Sequence, residues 1–115
     1  MSQETIFHKI INRQIPADIV YEDEEVLAFR DINAVAPTHI LFIPKKTIPS
    51  LAQLTIDDKA LLGNLLYALT QYAKKQGLDE TGYRVVINTG SQGGQTVFQL
   101  HMHLLAGRDL QWPPG

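Results

Sequence analysis

The segment that most narrows the fold is residues 55–76, TIDDKALLGNLLYALTQYAKKQ. Leu61, Leu62, Leu65, Leu66, Leu69, Tyr72 and Ala73 recur at helical spacing, which places them on one apolar face. Thr55 suits the N-cap, and Asp58 three residues on approximates a capping box. Lys74 and Lys75 complement the C-terminal dipole, and Gly77 suits the position beyond the last turn. A long one-sided helix needs an apolar layer to lie on. The chain supplies that layer as strands before and after it.

Residues 18–32, DIVYEDEEVLAFRDI, read as two short strands around a solvated acidic turn. Residues 38–46, THILFIPKK, form the next strand, which Pro44 ends. Beyond the helix, YRVVIN (83–88) and VFQLHMHLL (97–105) read as two further strands, separated by the glycine-rich loop TGSQGGQT. Near the N-terminus, residues 4–16 predict a short helix with Ile6, Phe7, Ile10 and Ile11 on one face and His8 on the opposite, solvated face. The pattern predicts a single α+β domain over 1–115, with a mainly antiparallel sheet and helices on one side.

Composition bounds the function. The net charge of -2 gives no electrostatic basis for nucleic-acid binding, and Lys45-Lys46 and Lys74-Lys75 are isolated pairs. The chain has no cysteine, which excludes disulfides and thiolate metal sites and fits a reducing compartment. No run approaches the roughly 20 apolar residues of a membrane span, and MSQETIFHKI does not resemble a secretory signal. The expectation is a cytoplasmic protein with no membrane partner.

The chemistry concentrates in the last strand. Alternation predicts that Gln99, His101, His103 and Leu105 share one face, leaving Leu100, Met102 and Leu104 for the core. The preceding loop brings Gly90, Gly93 and Gly94, whose backbone N–H groups can cradle an anion, together with the side-chain donors of Gln95 and Thr96. It is not a Walker A loop, because no Gly-Lys-Ser/Thr follows. Two mechanisms suit these residues. A neutral imidazole can attack phosphorus and form a covalent intermediate. Alternatively, His39, His101 and His103 can hold zinc and activate water.

GGQTVFQLHMHLLAGR resembles the signature of the histidine triad superfamily, His-φ-His-φ-His-φ-φ, where φ is apolar. The blocks IFHKIINRQIPADIVYEDEEVLAFRDI, APTHILFIPKK, VINTGSQGGQTVF and WPPG resemble its Hint branch, the nucleoside phosphoramidate hydrolases, over nearly the whole chain. The resemblance implies a five-stranded antiparallel sheet per subunit, and a homodimer in which two sheets join into one of ten strands. It implies hydrolysis of P–N bonds in purine nucleoside phosphoramidates and aminoacyl-adenylate-like compounds, without metal or other cofactor.

Residue by residue, the resemblance makes His101 the nucleophile, His103 a contact to phosphate or the bridging atom, and His39 the fourth active-site histidine. Asp31 matches the acid that bonds both ribose hydroxyls, as its two acceptor oxygens allow. Ile6, Phe7, Ile10, Phe29, Ile32 and Leu41 match the base pocket. Asn88, Gly94, Gln95 and Thr96 match the phosphate side, and Trp112 a tail residue that reaches the partner subunit's site. Two positions depart from the pattern. Thr47 follows PKK where many relatives have histidine, and Gln99 occupies the first triad position. A carboxamide can replace an orienting hydrogen bond but not a proton relay. The expectation is an active enzyme with Gln99 in an orienting role. The alternatives are a dinucleoside polyphosphate or adenylyl sulfate hydrolase, and a nucleotide-binding regulatory module with negligible turnover.

Overall fold

The computed structural model describes residues 4–115. Five strands form one antiparallel sheet in the order β1-β2-β3-β5-β4, with β1 Ile19–Glu22, β2 Val26–Arg30, β3 Thr38–Pro44, β4 Arg84–Val86 and β5 Met102–Ala106. β3 is central and buried on both faces, which is why THILFIP reads as an almost unbroken apolar run. The β1–β2 turn is held by Asp23, whose Oδ1 accepts the N–H groups of Glu25 and Val26, both at 2.8 Å.

The long helix α2, Lys59–Lys75, lies on one face of the sheet. Leu65, Ala68, Leu69 and Ala73 pack there on Val26, Ala28, Ile40, Phe42, Leu100, Met102 and Leu104. It is entered through a 3₁₀ turn, Ile56–Asp58, with the Thr55 N–H donating to Asp58 Oδ2 at 2.9 Å. Gly77, with φ +73°, takes the left-handed conformation that ends the helix and leads into the four-residue α3, Leu78–Thr81.

The opposite face is not bare. Helix α1, Ile6–Ile11, covers it with Phe7 and Ile10, which pack on Leu27, Phe29, Leu41 and Ile43. Helices therefore occupy both faces rather than one, because Leu27 and Phe29 of β2 and Leu41 and Ile43 of β3 make the α1 side apolar as well. His8 is buried, contrary to its expected solvation. As the third residue of α1 it closes a capping box: its Nδ1 accepts the Thr5 N–H at 2.8 Å, and Thr5 Oγ1 accepts the His8 N–H at 3.3 Å.

The last strand is shorter than its alternation predicts. Regular pairing begins at Met102, so Gln99 and His101 precede β5. Residues 97–101 are held instead by bonds to the segment after β3, among them Leu100 N–H to the Ile48 carbonyl at 2.7 Å. Leu100, Met102 and Leu104 still point into the α2-side core, as expected. YRVVIN pairs only over Arg84–Val86. Among the described residues, no helix is long and apolar enough to cross a membrane.

Candidate active site

β3 and β5 run side by side with Leu41 opposite His103 and His39 opposite Leu105. His39 and His103 are thus diagonal neighbours on the α1 face, with ring centroids 5.2 Å apart. His101, just before β5, lies 5.0 Å from the His103 ring and receives Phe7 edge-on, at 5.0 Å and 88°. The structure brings together three of the four histidines. His39 and His101 are each 6% exposed.

Hydrogen bonding assigns the proton on each ring. The Val35 N–H donates into His39 Nδ1 at 3.1 Å, so neutral His39 carries its proton on Nε2. That Nε2 lies 2.9 Å from His103 Nδ1 and 3.4 Å from Asp31 Oδ2. His103 therefore accepts at Nδ1 and bears its proton on Nε2, a buried atom with no partner among the described residues. His101 Nδ1 lies 2.7 Å from the Gln99 carbonyl, which can only accept, so the proton of His101 is on Nδ1. The result is an ordered pair: His101 keeps a free lone pair on Nε2, and His103 keeps a free N–H.

Electrostatics favour the uncharged rings. Burial is the main cause that holds His101 below the ordinary histidine value, against the opposing pull of the Gln99 carbonyl and Asp31. Burial likewise lowers His39 against Asp31. His103 is held down to about 4, by burial first and then by His101 and His39. Neutral imidazole is the nucleophilic form, so the surroundings keep His101 competent at neutral pH.

An apolar cavity of about 250 Å³ is joined to the histidines through two of its lining residues, Phe7, which meets the His101 ring, and Asp31, 3.4 Å from His39. Ile6, Phe7, Ile10, Phe29, Ile32 and Leu41 all line it, and Asp31 stands on its wall. The residues named for a base pocket are therefore contiguous. They come from α1, β2 and β3 and the turn after β2, and alternation in the two strands explains why Phe29 and Leu41 share this face. Asp31 Oδ1 accepts the Asn33 N–H at 2.8 Å, which fixes the carboxylate while leaving further lone pairs on both oxygens.

The glycine loop is compact. Gln95 N–H donates to the Gly90 carbonyl at 3.0 Å, and Gly94 N–H to the Ser91 carbonyl at 3.1 Å. Gly93 has no room for a side chain, since a Cβ there would lie 2.5 Å from the Thr89 carbonyl oxygen. Gln95 is 5% exposed, and its amide is already committed. Its Oε1 accepts the Gly90 N–H at 2.9 Å, and its Nε2 donates to the carbonyls of Pro49 (2.7 Å) and Val97 (3.1 Å). Its side chain therefore shapes the loop, with no donor left over for phosphate. Thr96 is exposed at the loop's end. Asn88 lines a separate groove of about 530 Å³ with Arg84, Val86 and the C-terminal tail. Trp112 is 80% exposed in that tail, which Arg84 Nη2 anchors by donating to the Gln111 carbonyl at 2.9 Å.

Sequence reasoning did not find two groups that organise the site, the Val35 N–H and the backbone of residues 44–48. Both are main-chain atoms whose role comes only from proximity, so no side-chain motif announces them.

Residues 12–110 match the HIT domain family. The chain is 49% identical over 110 residues to the purine nucleoside phosphoramidase of Escherichia coli, covering 96% of this chain and 92% of that protein. It is 55% identical over 113 residues to the 14 kDa zinc-binding protein of Zea mays, covering 96% and 88%. The crystal structure of a HIT family hydrolase from Legionella pneumophila superposes with a TM-score of 0.95 at 49% identity, covering 97% of this chain and all of that one. An α+β fold with a five-stranded sheet, a long helix and paired histidines defines the class. The chain belongs to the HIT family, in its Hint branch.

The name of the maize relative calls for a test of the histidines as metal ligands. Asp31, His39 and His103 have potential ligand atoms within 4.8 Å of one another, a set that replaces His101 of the sequence-based triad with Asp31. The hydrogen bonds do not fit a metal there. With Val35 donating into Nδ1, the Nε2 of neutral His39 carries a proton and presents no lone pair to the cluster.

Proposed function

We propose that this protein hydrolyses the P–N bond of purine nucleoside 5′-phosphoramidates through a nucleotidyl-His101 intermediate. The observation that carries this reading is the ordered pair of ring nitrogens. A lone pair on His101 Nε2 and a His103 N–H without a partner among the described residues sit on rings 5.0 Å apart, linked through Phe7 and Asp31 to an apolar cavity. The E. coli relative's name supports the same substrate class.

In this reading the purine lies between Phe7, Ile10, Phe29 and Leu41, and Asp31 accepts from the ribose hydroxyls. His101 Nε2 attacks phosphorus, forming a new P–N bond as the bond to the leaving amine breaks and the amine takes a proton from solvent, which the water of the second step returns. The His103 Nε2–H stabilises the charge that builds on the phosphoryl oxygens. Water then attacks phosphorus, the bond to His101 breaks, and nucleoside monophosphate leaves. The cavity walls are hydrocarbon and cannot separate adenine from guanine strongly. We place the working form as a homodimer in which Trp112 reaches the partner's site. The exposure of Trp112 and the outer position of β4 in the sheet support that arrangement.

The test is release of AMP from adenosine 5′-phosphoramidate by the wild type and His101→Ala, with a diadenosine polyphosphate as the competing substrate. Release that depends on His101 and favours the phosphoramidate supports the reading. Faster cleavage of the diadenosine compound assigns the other hydrolase class. Nucleotide binding without release assigns a regulatory module.

A further inference from the structure

Gln99 is where this chain departs from the triad pattern, and its surroundings explain the departure. It is fully buried. Its Nε2 donates to the carbonyls of Pro44 (2.9 Å) and Lys46 (2.8 Å), and its Oε1 accepts the Ile48 N–H (3.1 Å). All three partners belong to the segment that leaves β3. That segment is also tied by Gln95 Nε2 to the Pro49 carbonyl and by Leu100 N–H to the Ile48 carbonyl, both at 2.7 Å. The main-chain carbonyl of the same Gln99 is the group that accepts from His101 Nδ1.

We infer that Gln99 is a positioning residue: its carboxamide pins its own main chain to Pro44–Ile48, and its carbonyl thereby fixes the His101 proton on Nδ1 and leaves Nε2 free. The inference rests on the reading of His101 as the nucleophile.

The donor and acceptor count decides which side chain fits. The three partners demand two donors and one acceptor, which is the inventory of a primary carboxamide. A neutral imidazole has one donor and one acceptor, so one of the two carbonyls, that of buried Pro44 or the part-buried one of Lys46, would lose its partner. An imidazolium has two donors and no acceptor, so it would oppose the Ile48 N–H. An ionised carboxylate has no donor at all. Glutamine is thus matched to this backbone, and histidine in any protonation state is not. Because the carboxamide does not titrate, the clamp holds across the pH range in which a histidine clamp would change its bonding.

The experiment uses the full chain as wild type, Gln99→His and Gln99→Met. Two readouts are taken, steady-state turnover of adenosine 5′-phosphoramidate and the imidazole ¹⁵N shifts of His101, which report its tautomer. The wild type is expected to show a single His101 tautomer with the proton on Nδ1. Both substitutions are expected to give a tautomer mixture and to lower kcat by about 100-fold, the scale of a small misplacement of a reacting group, with KM little changed. A kcat in Gln99→His equal to or above the wild type overturns the inference. So does a His101 tautomer that neither substitution alters. If a variant does not fold, the wild-type spectrum decides, because a mixture of tautomers there overturns the inference and a single Nδ1–H form supports it. If the wild type shows no His101-dependent turnover, the hydrolase reading fails, while the spectra still determine whether Gln99 sets the tautomer.

Discussion

Truncating Phe7 tests the link between fold and site. Helix α1 has only six residues, too few to persist on propensity, so its place depends on what it buries. Phe7 is 7% exposed, meets Phe29 edge-on at 5.4 Å and touches His101 at 5.0 Å. Phe→Ala at a buried site costs about 3–5 kcal/mol, and a peripheral helix can relax into the space, which favours the lower figure of about 3 kcal/mol. At about 4–8 °C per kcal/mol for a domain near this size, Phe7→Ala lowers Tm by roughly 12–24 °C. The same ring lines the apolar cavity, so AMP affinity falls by about tenfold, the equivalent of some 1.4 kcal/mol. Thermal melting followed by circular dichroism and AMP titration by calorimetry measure the two effects. A Tm within about 2 °C of the wild type, below the smallest shift that 1 kcal/mol of lost packing would give, refutes the packing of α1 on the histidine face.

Acidification should destabilise the protein and slow it together. The folded state lowers the pKa of His39, His101 and His103, so on descending below the ordinary histidine value, about 6.5, the unfolded chain binds protons that the folded chain refuses. Stability is then lost progressively from about pH 6.5 towards the His103 value of about 4, which denaturant titrations across that range will reveal. Stability that does not change across that range contradicts the burial of these rings. Gly93→Ala drives a Cβ to 2.5 Å from the Thr89 carbonyl and should force the loop to shift, costing about 1–3 kcal/mol and most of the turnover. Full activity in that variant would separate the loop from catalysis. Exhaustive dialysis against a chelator is expected to leave the rate unchanged, and a loss restored by zinc would show that the proton assigned to His39 Nε2 is misplaced.

The parts of the fold that are periodic in the sequence were legible there. The stripe from Leu61 to Ala73 placed α2, and the apolar run Thr38–Pro44 placed the central strand. What escaped was set by contacts distant along the chain. Alternation treats Gln99 and His101 as strand residues, yet Gln99 is held by backbone atoms more than 50 residues away, at Pro44, Lys46 and Ile48, and His101 by the Gln99 carbonyl. His8 lies off the apolar stripe of α1, yet its ring is drawn in by the Thr5 N–H, a capping bond that depends on position within the helix and not on polarity. Gln95 shows the same limit within the site. A polar side chain beside a glycine loop reads as a ligand donor, and its amide is instead consumed by Gly90, Pro49 and Val97.

The chemistry itself is tested most directly by trapping the intermediate. Wild-type protein is mixed with adenosine 5′-phosphoramidate, quenched within a single turnover, digested and analysed by mass spectrometry. The expected result is an adenylyl group on the peptide that contains His101, its decay matched by release of AMP, and neither event in His101→Ala. Release of AMP at the wild-type rate from His101→Ala, or adenylylation at His103 in place of His101, would contradict it.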